Sequence, residues 1–328
     1  MSASLHSDQL ICIGDSLTEQ SWAQEGLGAS LANIYSRKLD VINRGLGGYN
    51  TEWGLEAFKQ ARRELACGSS LRRMLTPLVG TTQYFPKKAE RSFKIQLVTI
   101  WWGANDATLP GQIQHVPLDA FVQNIREMVS LIRDPASPYH SPETSIILIN
   151  APPFFQEHWL DTKAAAGGPR EQDRDDEVTR QYAEAVKQLG AELGLPVADA
   201  YTAVTATNHR EGLENPKAIW WDGLHLTGLA YRAVTGEVLG AIEHASPEKH
   251  WDKLPMMLPE WRLAGASDLV TGLADLAPRE VRRALGDART RARLTVATQP
   301  AALATTLAIS QKADEAVEAA VAHGTDPF

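Results

Sequence analysis

The chain has 328 residues, 44% of them hydrophobic, which is enough to bury a sizeable core as one large domain or as one domain with an appendage. A formal net charge of −8 gives no general attraction to nucleic acid or anionic membranes, so we expect neither as a partner. The two cysteines, Cys12 and Cys67, form neither a disulfide framework nor a metal-ligand cluster. This cysteine usage predicts a reducing, cytoplasmic compartment.

The N-terminal segment has neither the basic stretch nor the long apolar stretch of a secretion signal. No apolar run in the sequence approaches the roughly 18 residues that a membrane-spanning helix needs. We therefore expect no secretion and no membrane span.

Short apolar runs alternate with longer helical patterns along most of the chain. Strands are predicted at Leu10–Ile13, Val41–Asn43, Ile95–Trp101, Ile146–Asn150 and Pro196–Asp199. Helices are predicted around Gly28–Leu39, Thr51–Ala66, Leu118–Ile132, Asp173–Leu193 and from near Thr227. Apolar strands separated by helices favour a parallel sheet with helices on both faces, because right-handed crossovers cover each side.

Four polar or glycine-rich segments follow predicted strands or enter the last helix. They read GDSLT, NRGLGGYNT, WWGANDA and WWDGLHLT, and they begin at Gly14, Asn43, Trp101 and Trp220. Ligands of such sheets bind beyond the carboxyl ends of the strands. We therefore expect these segments to converge over one edge of the sheet.

Together the four segments hold the groups that acyl transfer requires. A serine hydroxyl becomes a nucleophile when a base takes its proton, and His225 could do so for Ser16 while Asp222 orients the imidazole. Candidate oxyanion donors are the backbone N–H groups of Ser16 and Gly48 and the side-chain amide of Asn105.

Two carboxylates that adjoin these candidate residues in the sequence, Asp15 before Ser16 and Asp106 after Asn105, have structural explanations as well. Asp15 could cap the first helix or touch the oxyanion loop, and Asp106 is expected to be structural.

The motifs GDSLT, GGYN, GAND and DGLH resemble, in order, the four blocks of the SGNH (GDSL-type) hydrolase superfamily. Within it, RGLGGYNTEW, IWWGANDA, DGLHLT and LPMMLPEW are similar to the isoamyl acetate-hydrolysing esterase group, and the resemblance runs from Leu10 to Trp261. It implies a flavodoxin-like three-layer α/β/α sandwich with a central parallel sheet and no metal or organic cofactor.

The resemblance also implies a role for each matching residue. Ser16 would be the nucleophile, His225 the base and Asp222 its orienter, with Gly48 and Asn105 as oxyanion donors. These esterases more often have Ser at the position of Gly47, and Gly47 could supply the N–H if the loop shifted by one residue.

Tryptophans flank the catalytic segments at positions 101, 102, 220 and 221, and aromatic side chains are large enough to bound an acyl pocket. Core packing is expected for at least two of them. We predict that Trp102 contacts the substrate and limits its acyl chain.

Two segments depart from a minimal domain of this kind. The insertion between Cys67 and Lys94 could be a lid or a surface excursion. We place the hydrolase domain at 1–261 and a helical extension at 262–328, through which a homo-oligomer could form.

The sequence thus predicts a serine esterase that acts on small, short-chain acyl esters through an acyl-enzyme. An acyltransferase using the same residues and a catalytically silent binding module are the alternatives.

Overall fold

A five-stranded parallel sheet forms the centre of the protein. The computed structural model describes residues 7–59, 84–211 and 215–257. Its strands are β1 (Gln9–Gly14), β2 (Asp40–Gly45), β3 (Ile95–Trp101), β4 (Ser145–Ile149) and β5 (Val197–Ala198). They lie in the order β2-β1-β3-β4-β5, so the first strand is interior and the chain crosses over it.

Helices pack on both faces of this sheet. In the described part of the chain they are α1 (Ser16–Glu19), α2 (Leu27–Ile34), α3 (Thr51–Phe58), α4 (Leu118–Arg133), α5 (Gln156–Ala165), α6 (Asp176–Leu193), α7 (Ala200–Glu211) and α8 (Gly228–Ala245). One buried cluster contains Phe58 of α3 and Ile125 of α4, and a second cluster contains Leu31 of α2 and Val238 of α8. The predicted three-layer α/β/α sandwich is confirmed.

Strand β1 shows why the sequence folds this way. Successive side chains of a strand point to opposite faces, and Ile11 and Ile13 lie in one core while Leu10 and Cys12 lie in the other. Odd and even residues of β1 therefore both need apolar side chains, because each set is buried on one face. The result is the continuous apolar run of a buried parallel strand. Burial also raises the pKa of the Cys12 thiol to about 12, so this cysteine is a core residue.

Three predicted helices differ from the observed ones at an end. Helix α3 ends at Phe58, short of the predicted Ala66, and residues 60–66 lie outside the described ranges. Helix α2 ends at Ile34, because the chain turns there and Arg37 adopts a left-handed conformation with φ of 61°. Helix α6 begins at Asp176, because Asp175 caps it by accepting hydrogen bonds from the backbone N–H groups of the first turn.

Helices α5 and α7 have no counterpart among the predicted elements. Within α5 only Leu160 is buried, so its sequence carries no apolar stripe. Helix α7, with the sequence AYTAVTATNHRE, alternates alanine with β-branched threonine and valine and has no clear helical periodicity.

Several predictions concern residues outside the described ranges. These are the lid within Cys67–Lys94, of which only 84–94 is described, and the helical extension 262–328 with its oligomer interface. The described residues all lie within the unit Met1–Leu258, and the domain boundary after residue 261 stays a prediction. Among the helices of the described ranges, none has the length and apolar character to cross a membrane.

Candidate active site

The carboxyl ends of three neighbouring strands lie at the same level. Gly14, the last residue of β1, pairs with Gly45 of β2 on one side and Trp101 of β3 on the other. The backbone N–H of Leu46 then donates to the carbonyl of Gly14 over 2.8 Å. The segments that follow these strands therefore begin side by side, as the sequence predicts.

Ser16 is the first residue of α1, directly beyond β1. Asp15 caps this helix, since its carboxylate accepts a hydrogen bond of 2.9 Å from Leu17 N–H. Gly14 allows the tight junction, because a Cβ there would lie 2.2 Å from Thr18 Oγ1 and 2.3 Å from the carbonyl of Trp101. The turn from strand to helix thus presents Ser16 at the sheet edge, with 8% of its surface exposed.

Ser16, His225 and Asp222 form one continuous hydrogen-bonded chain. His225 Nε2 lies 2.8 Å from Ser16 Oγ, and His225 Nδ1 lies 2.5 Å from Asp222 Oδ2. The other oxygen of Asp222 accepts from the backbone N–H groups of Leu224 and His225. Burial alone would raise the pKa of Asp222, but these hydrogen bonds and His225 outweigh it and lower that pKa.

The loop that carries His225 is held on both sides. Tyr231 of α8 donates a hydrogen bond of 2.7 Å to the carbonyl of Leu17, which ties α8 to α1. Trp221 stacks on the His225 ring with centroids 5.4 Å apart and an interplanar angle of 19°. The imidazole is therefore fixed by a carboxylate at its edge and an indole on its face.

The glycine loop after β2 distinguishes Gly48 from Gly47. The Gly47 N–H donates to the Glu19 carboxylate of α1. Among the residues that the structure describes, no acceptor takes the backbone N–H of Gly48 or that of Ser16, so both are available to an oxyanion. Gly48 has φ of 77°, which L side chains rarely adopt, so this glycine shapes the loop.

Asn105 lies in the loop after β3 and is 3% exposed. Its Nδ2 donates to the carbonyl of Tyr49 over 2.8 Å, which joins the third loop to the glycine loop. Gln114 strengthens this junction by donating to the carbonyl of Gly48 over 2.7 Å. The structure thus brings together every sequence-predicted residue of the triad and of the oxyanion donors.

Asp15 and Asp106 are fully buried carboxyl groups on adjacent loops. Burial raises the pKa of Asp15 to about 6, against the Leu17 hydrogen bond and the charges of His225 and Arg174, which lower it. Burial raises the pKa of Asp106 to about 7, although Thr51 donates to it from both its backbone N–H and its hydroxyl. Both residues cap helices or hold loops, as the sequence suggests.

The tryptophans divide between the core and the surface. Trp102 is 1% exposed, belongs to the buried cluster of α3 and α4, and fills the space beside Gly54, where a Cβ would lie 2.5 Å from its ring. This position favours packing over the predicted substrate contact. Trp221 is 56% exposed beside His225, and of the tryptophans at positions 101, 102, 220 and 221 it is the one that reaches the surface.

Sequence reasoning missed Arg174, which is 4% exposed and lies in the link between α5 and α6. It donates to the carbonyl of Ala104 and to Asn105 Oδ1, the latter over 3.4 Å. Its sequence neighbourhood, REQDRDDE, resembles an ordinary solvated charge run and contains no signal of burial.

A parallel sheet between two layers of helices, with a Ser–His–Asp chain at the strand ends, is an arrangement found in hydrolases that use a serine nucleophile. Residues 12–233 match the GDSL-like Lipase/Acylhydrolase family. The chain belongs to this family and is a carboxylic ester hydrolase.

Three relatives illustrate the similarity. The isoamyl acetate-hydrolyzing esterase 1 homolog of Bos taurus is 32% identical over 256 residues, which cover 77% of this chain and 87% of that protein. The isoamyl acetate-hydrolyzing esterase of Saccharomyces cerevisiae is 29% identical, covering 78% and 94%. A GDSL esterase/lipase of Arabidopsis thaliana is 32% identical, covering 74% and 88%.

Among solved structures, a lipase/acylhydrolase from Enterococcus faecalis aligns with 76% of this chain and 98% of its own at a TM-score of 0.46. The identity over that alignment is 19%.

Proposed function

We propose that this protein hydrolyses small carboxylic esters with short acyl groups through an acyl-enzyme on Ser16. The observation that carries the proposal is the continuous chain from Ser16 Oγ through His225 to Asp222, with contacts of 2.8 and 2.5 Å. Such a chain places the nucleophile and its base within direct proton-transfer distance.

In the first half of the reaction, Ser16 Oγ attacks the ester carbonyl carbon while His225 Nε2 takes the hydroxyl proton. The carbonyl π electrons move to oxygen, and the resulting oxyanion accepts hydrogen bonds from Ser16 N, Gly48 N and Asn105 Nδ2. Collapse of this intermediate breaks the bond to the alkoxy oxygen, which receives the proton from His225. The alcohol leaves, and the acyl group stays on Ser16.

In the second half, water replaces the alcohol. His225 Nε2 removes a proton from water, the hydroxide oxygen attacks the acyl carbon, and a second tetrahedral intermediate forms. Its collapse breaks the bond to Ser16 Oγ, which recovers its proton from His225, and the carboxylic acid leaves. Throughout, Asp222 holds the tautomer with the proton on Nδ1 and stabilises the imidazolium.

Two observations support short acyl groups as substrates. The relatives from cattle and yeast have names that refer to hydrolysis of isoamyl acetate, an acetyl ester. The exposed indole of Trp221 also stands against the face of His225, where it would restrict the space beside the reacting carbonyl. We propose a cytoplasmic location on cysteine usage alone.

The decisive experiment compares Ser16→Ala with Ser36→Ala, an exposed serine of the same chain. We expect Ser16→Ala to lose ester hydrolysis by roughly 10⁴-fold or more and to escape labelling by a fluorophosphonate probe. Ser36→Ala should keep both. Hydrolysis retained by purified, folded Ser16→Ala would disprove the nucleophile assignment.

Acyl length is tested with a panel of p-nitrophenyl esters of increasing chain length. Each buried methylene contributes about 0.8 kcal/mol, so kcat/KM should rise over the first few carbons and then fall. Trp221→Ala should move the optimum to longer chains. If Trp102 limits the acyl chain as the sequence predicts, Trp102→Ala should move the optimum in the same direction. A long-chain optimum in the wild type would contradict the short-acyl proposal.

An acyltransferase would differ from an esterase only in what resolves the acyl-enzyme. The same assay with a competing alcohol distinguishes the two by its products. We expect free carboxylic acid to dominate, whereas a dominant new ester would favour the acyltransferase.

A further inference from the structure

Arg174 is a buried cation that the reaction scheme above does not use. Its backbone forms an isolated antiparallel bridge with Thr108, and the neighbouring Asp173 carbonyl accepts from Leu109 N–H over 2.8 Å. The link between α5 and α6 therefore runs along the end of the loop that carries Asn105. This placement brings the guanidinium to the active site from a segment distant in sequence.

The guanidinium makes its polar contacts with the loop of Asn105. Its Nη1 donates to the carbonyl of Ala104, and its Nη2 lies 3.4 Å from Asn105 Oδ1. The guanidinium carbon Cζ lies over the Trp159 ring, 5.1 Å from its centroid. Two adjacent residues of one loop thus share one planar, forked donor.

These contacts determine the orientation of the Asn105 amide. An arginine side chain can only donate hydrogen bonds, and a backbone carbonyl can only accept them. Oδ1 must therefore face Arg174, and Nδ2 must face the carbonyl of Tyr49. One N–H of Nδ2 is then used by Tyr49, which leaves the second N–H for another acceptor.

The charge of Arg174 acts in the same direction as its geometry. Burial lowers the pKa of this guanidinium, while the carboxylates of Asp173, Asp15 and Asp222 raise it, and an arginine retains its charge under such conditions. A positive charge at the oxygen end of an amide polarises it and makes its N–H a stronger donor in a site of low dielectric constant.

We propose that Arg174 is a positioning residue that holds the Asn105 amide with Nδ2 toward the developing oxyanion. The inference rests on the proposed role of Asn105 as an oxyanion donor. Its effect should appear in the transition state, where the oxyanion forms, and hardly in ground-state binding.

The test compares Arg174→Met and Arg174→Lys with Arg170→Met in the full-length protein. Arg170 lies in the same link, but it forms surface pairs with Glu157 and Asp161. We expect Arg174→Met to lower kcat by roughly 10- to 100-fold with little change in KM, because a misplaced donor weakens transition-state stabilisation. Arg174→Lys keeps the charge without the forked donor, and its kcat should lie between those of the wild type and Arg174→Met. The kcat of Arg170→Met should match that of the wild type.

A double-mutant cycle with Asn105→Ala separates positioning from a general structural effect. If Arg174 acts through the amide, Arg174→Met should cost less than about threefold in kcat once Asn105 is alanine. Equal costs in both backgrounds would overturn the proposal, as would unchanged kcat in Arg174→Met. Should Arg174→Met fail to fold, the cycle is run with Arg174→Lys, and the same outcomes decide.

The two proposals fail in distinguishable ways. A normal kcat in Asn105→Ala would refute the oxyanion role of Asn105. An impaired Asn105→Ala beside a fully active Arg174→Met would refute only the positioning role of Arg174.

Discussion

Asp222 and Asp252 each form a carboxylate–histidine pair with a nearby residue of the chain, and the Asp222 pair also contacts Ser16, the proposed nucleophile. Asp252 Oδ1 lies 2.7 Å from His250 Nδ1, and Asp222 Oδ2 lies 2.5 Å from His225 Nδ1. In the Asp222–His225 pair the other imidazole nitrogen, Nε2, contacts Ser16 Oγ, so the imidazole tautomer determines whether Nε2 can accept the Ser16 proton in the proposed reaction. The two pairs therefore form a matched comparison within one protein.

Asp222→Asn should leave the fold intact and lower kcat by roughly 10⁴-fold, because an amide favours the wrong imidazole tautomer. Asp252→Asn is the control and should leave kcat unchanged. Steady-state hydrolysis of a short acyl ester measures both. Comparable activity of the two variants would contradict the role of Asp222.

A second prediction for a single residue concerns Asn105. Asn105→Ala removes one proposed oxyanion donor and should lower kcat by roughly 10²- to 10³-fold with KM little changed. Steady-state kinetics separate the two parameters. A change in KM alone would place Asn105 in substrate binding instead.

Among the elements, α5 and the loop of Asp222 and His225 meet at Gly223. This glycine has φ of 96°, and its carbonyl accepts from Phe155 N–H over 2.7 Å. A Cβ there would lie 2.2 Å from the backbone nitrogen of Trp159, so α5 can approach the loop only because residue 223 lacks a side chain.

Gly223→Ala should destabilise the protein by more than about 2 kcal/mol and reduce activity, because the backbone of α5 would have to move. Gly236→Ala in α8 is the control, since no atom lies within 4 Å of the added Cβ. It should stabilise the protein by about 1 kcal/mol through helix propensity. Urea unfolding measures both, and equal stability of the two variants would contradict the packing argument.

The loop after β3 is joined to α3 by Asp106. The carboxyl group accepts from Thr51 N–H, the first residue of α3, and from the Thr51 hydroxyl. Burial raises its pKa to about 7, well above the value of about 3.9 in an unfolded chain. The folded state therefore binds this proton more tightly than the unfolded state does.

The stabilising contribution of this proton is complete below the unfolded pKa and is lost as the pH rises toward 7. Each unit of pH in that window lowers the free energy of unfolding by up to about 1.4 kcal/mol for one proton. Asp106→Asn cannot titrate, so its stability should fall less between pH 4 and pH 7 than that of the wild type. Melting temperatures measured across this range test the difference, and parallel curves would contradict it.

At the scale of the whole molecule, the residues of the candidate site lie between Asp15 and His225, and the family match ends at 233. We therefore predict that a chain ending at Trp261 keeps kcat and KM within about twofold of the full-length values, as an independent domain should. Size-exclusion chromatography of both chains would show whether 262–328 supports an oligomer. A folded truncated chain with much lower kcat would assign the segment a part in the site.

The sequence by itself determined the sandwich and the grouping of Ser16, His225 and Asp222. Buried strands such as β1 need apolar residues on both faces, and the motifs around Ser16, Asn105 and His225 lie at strand ends or at a helix entrance. Both signals are local, so they can be read without knowing the contacts. Helices α5 and α7 lack such periodicity, and for that reason they were not predicted.

Only the tertiary structure decided which groups surround those residues. Glu19 takes the N–H of Gly47 and leaves that of Gly48, Trp102 is buried while Trp221 is exposed, and Arg174 reaches Asn105 across 69 positions. These outcomes depend on side chains brought together by the sheet order and the crossovers. Such contacts are non-local, so the spacing of residues along the chain does not encode them in a form that can be read before the chain is folded.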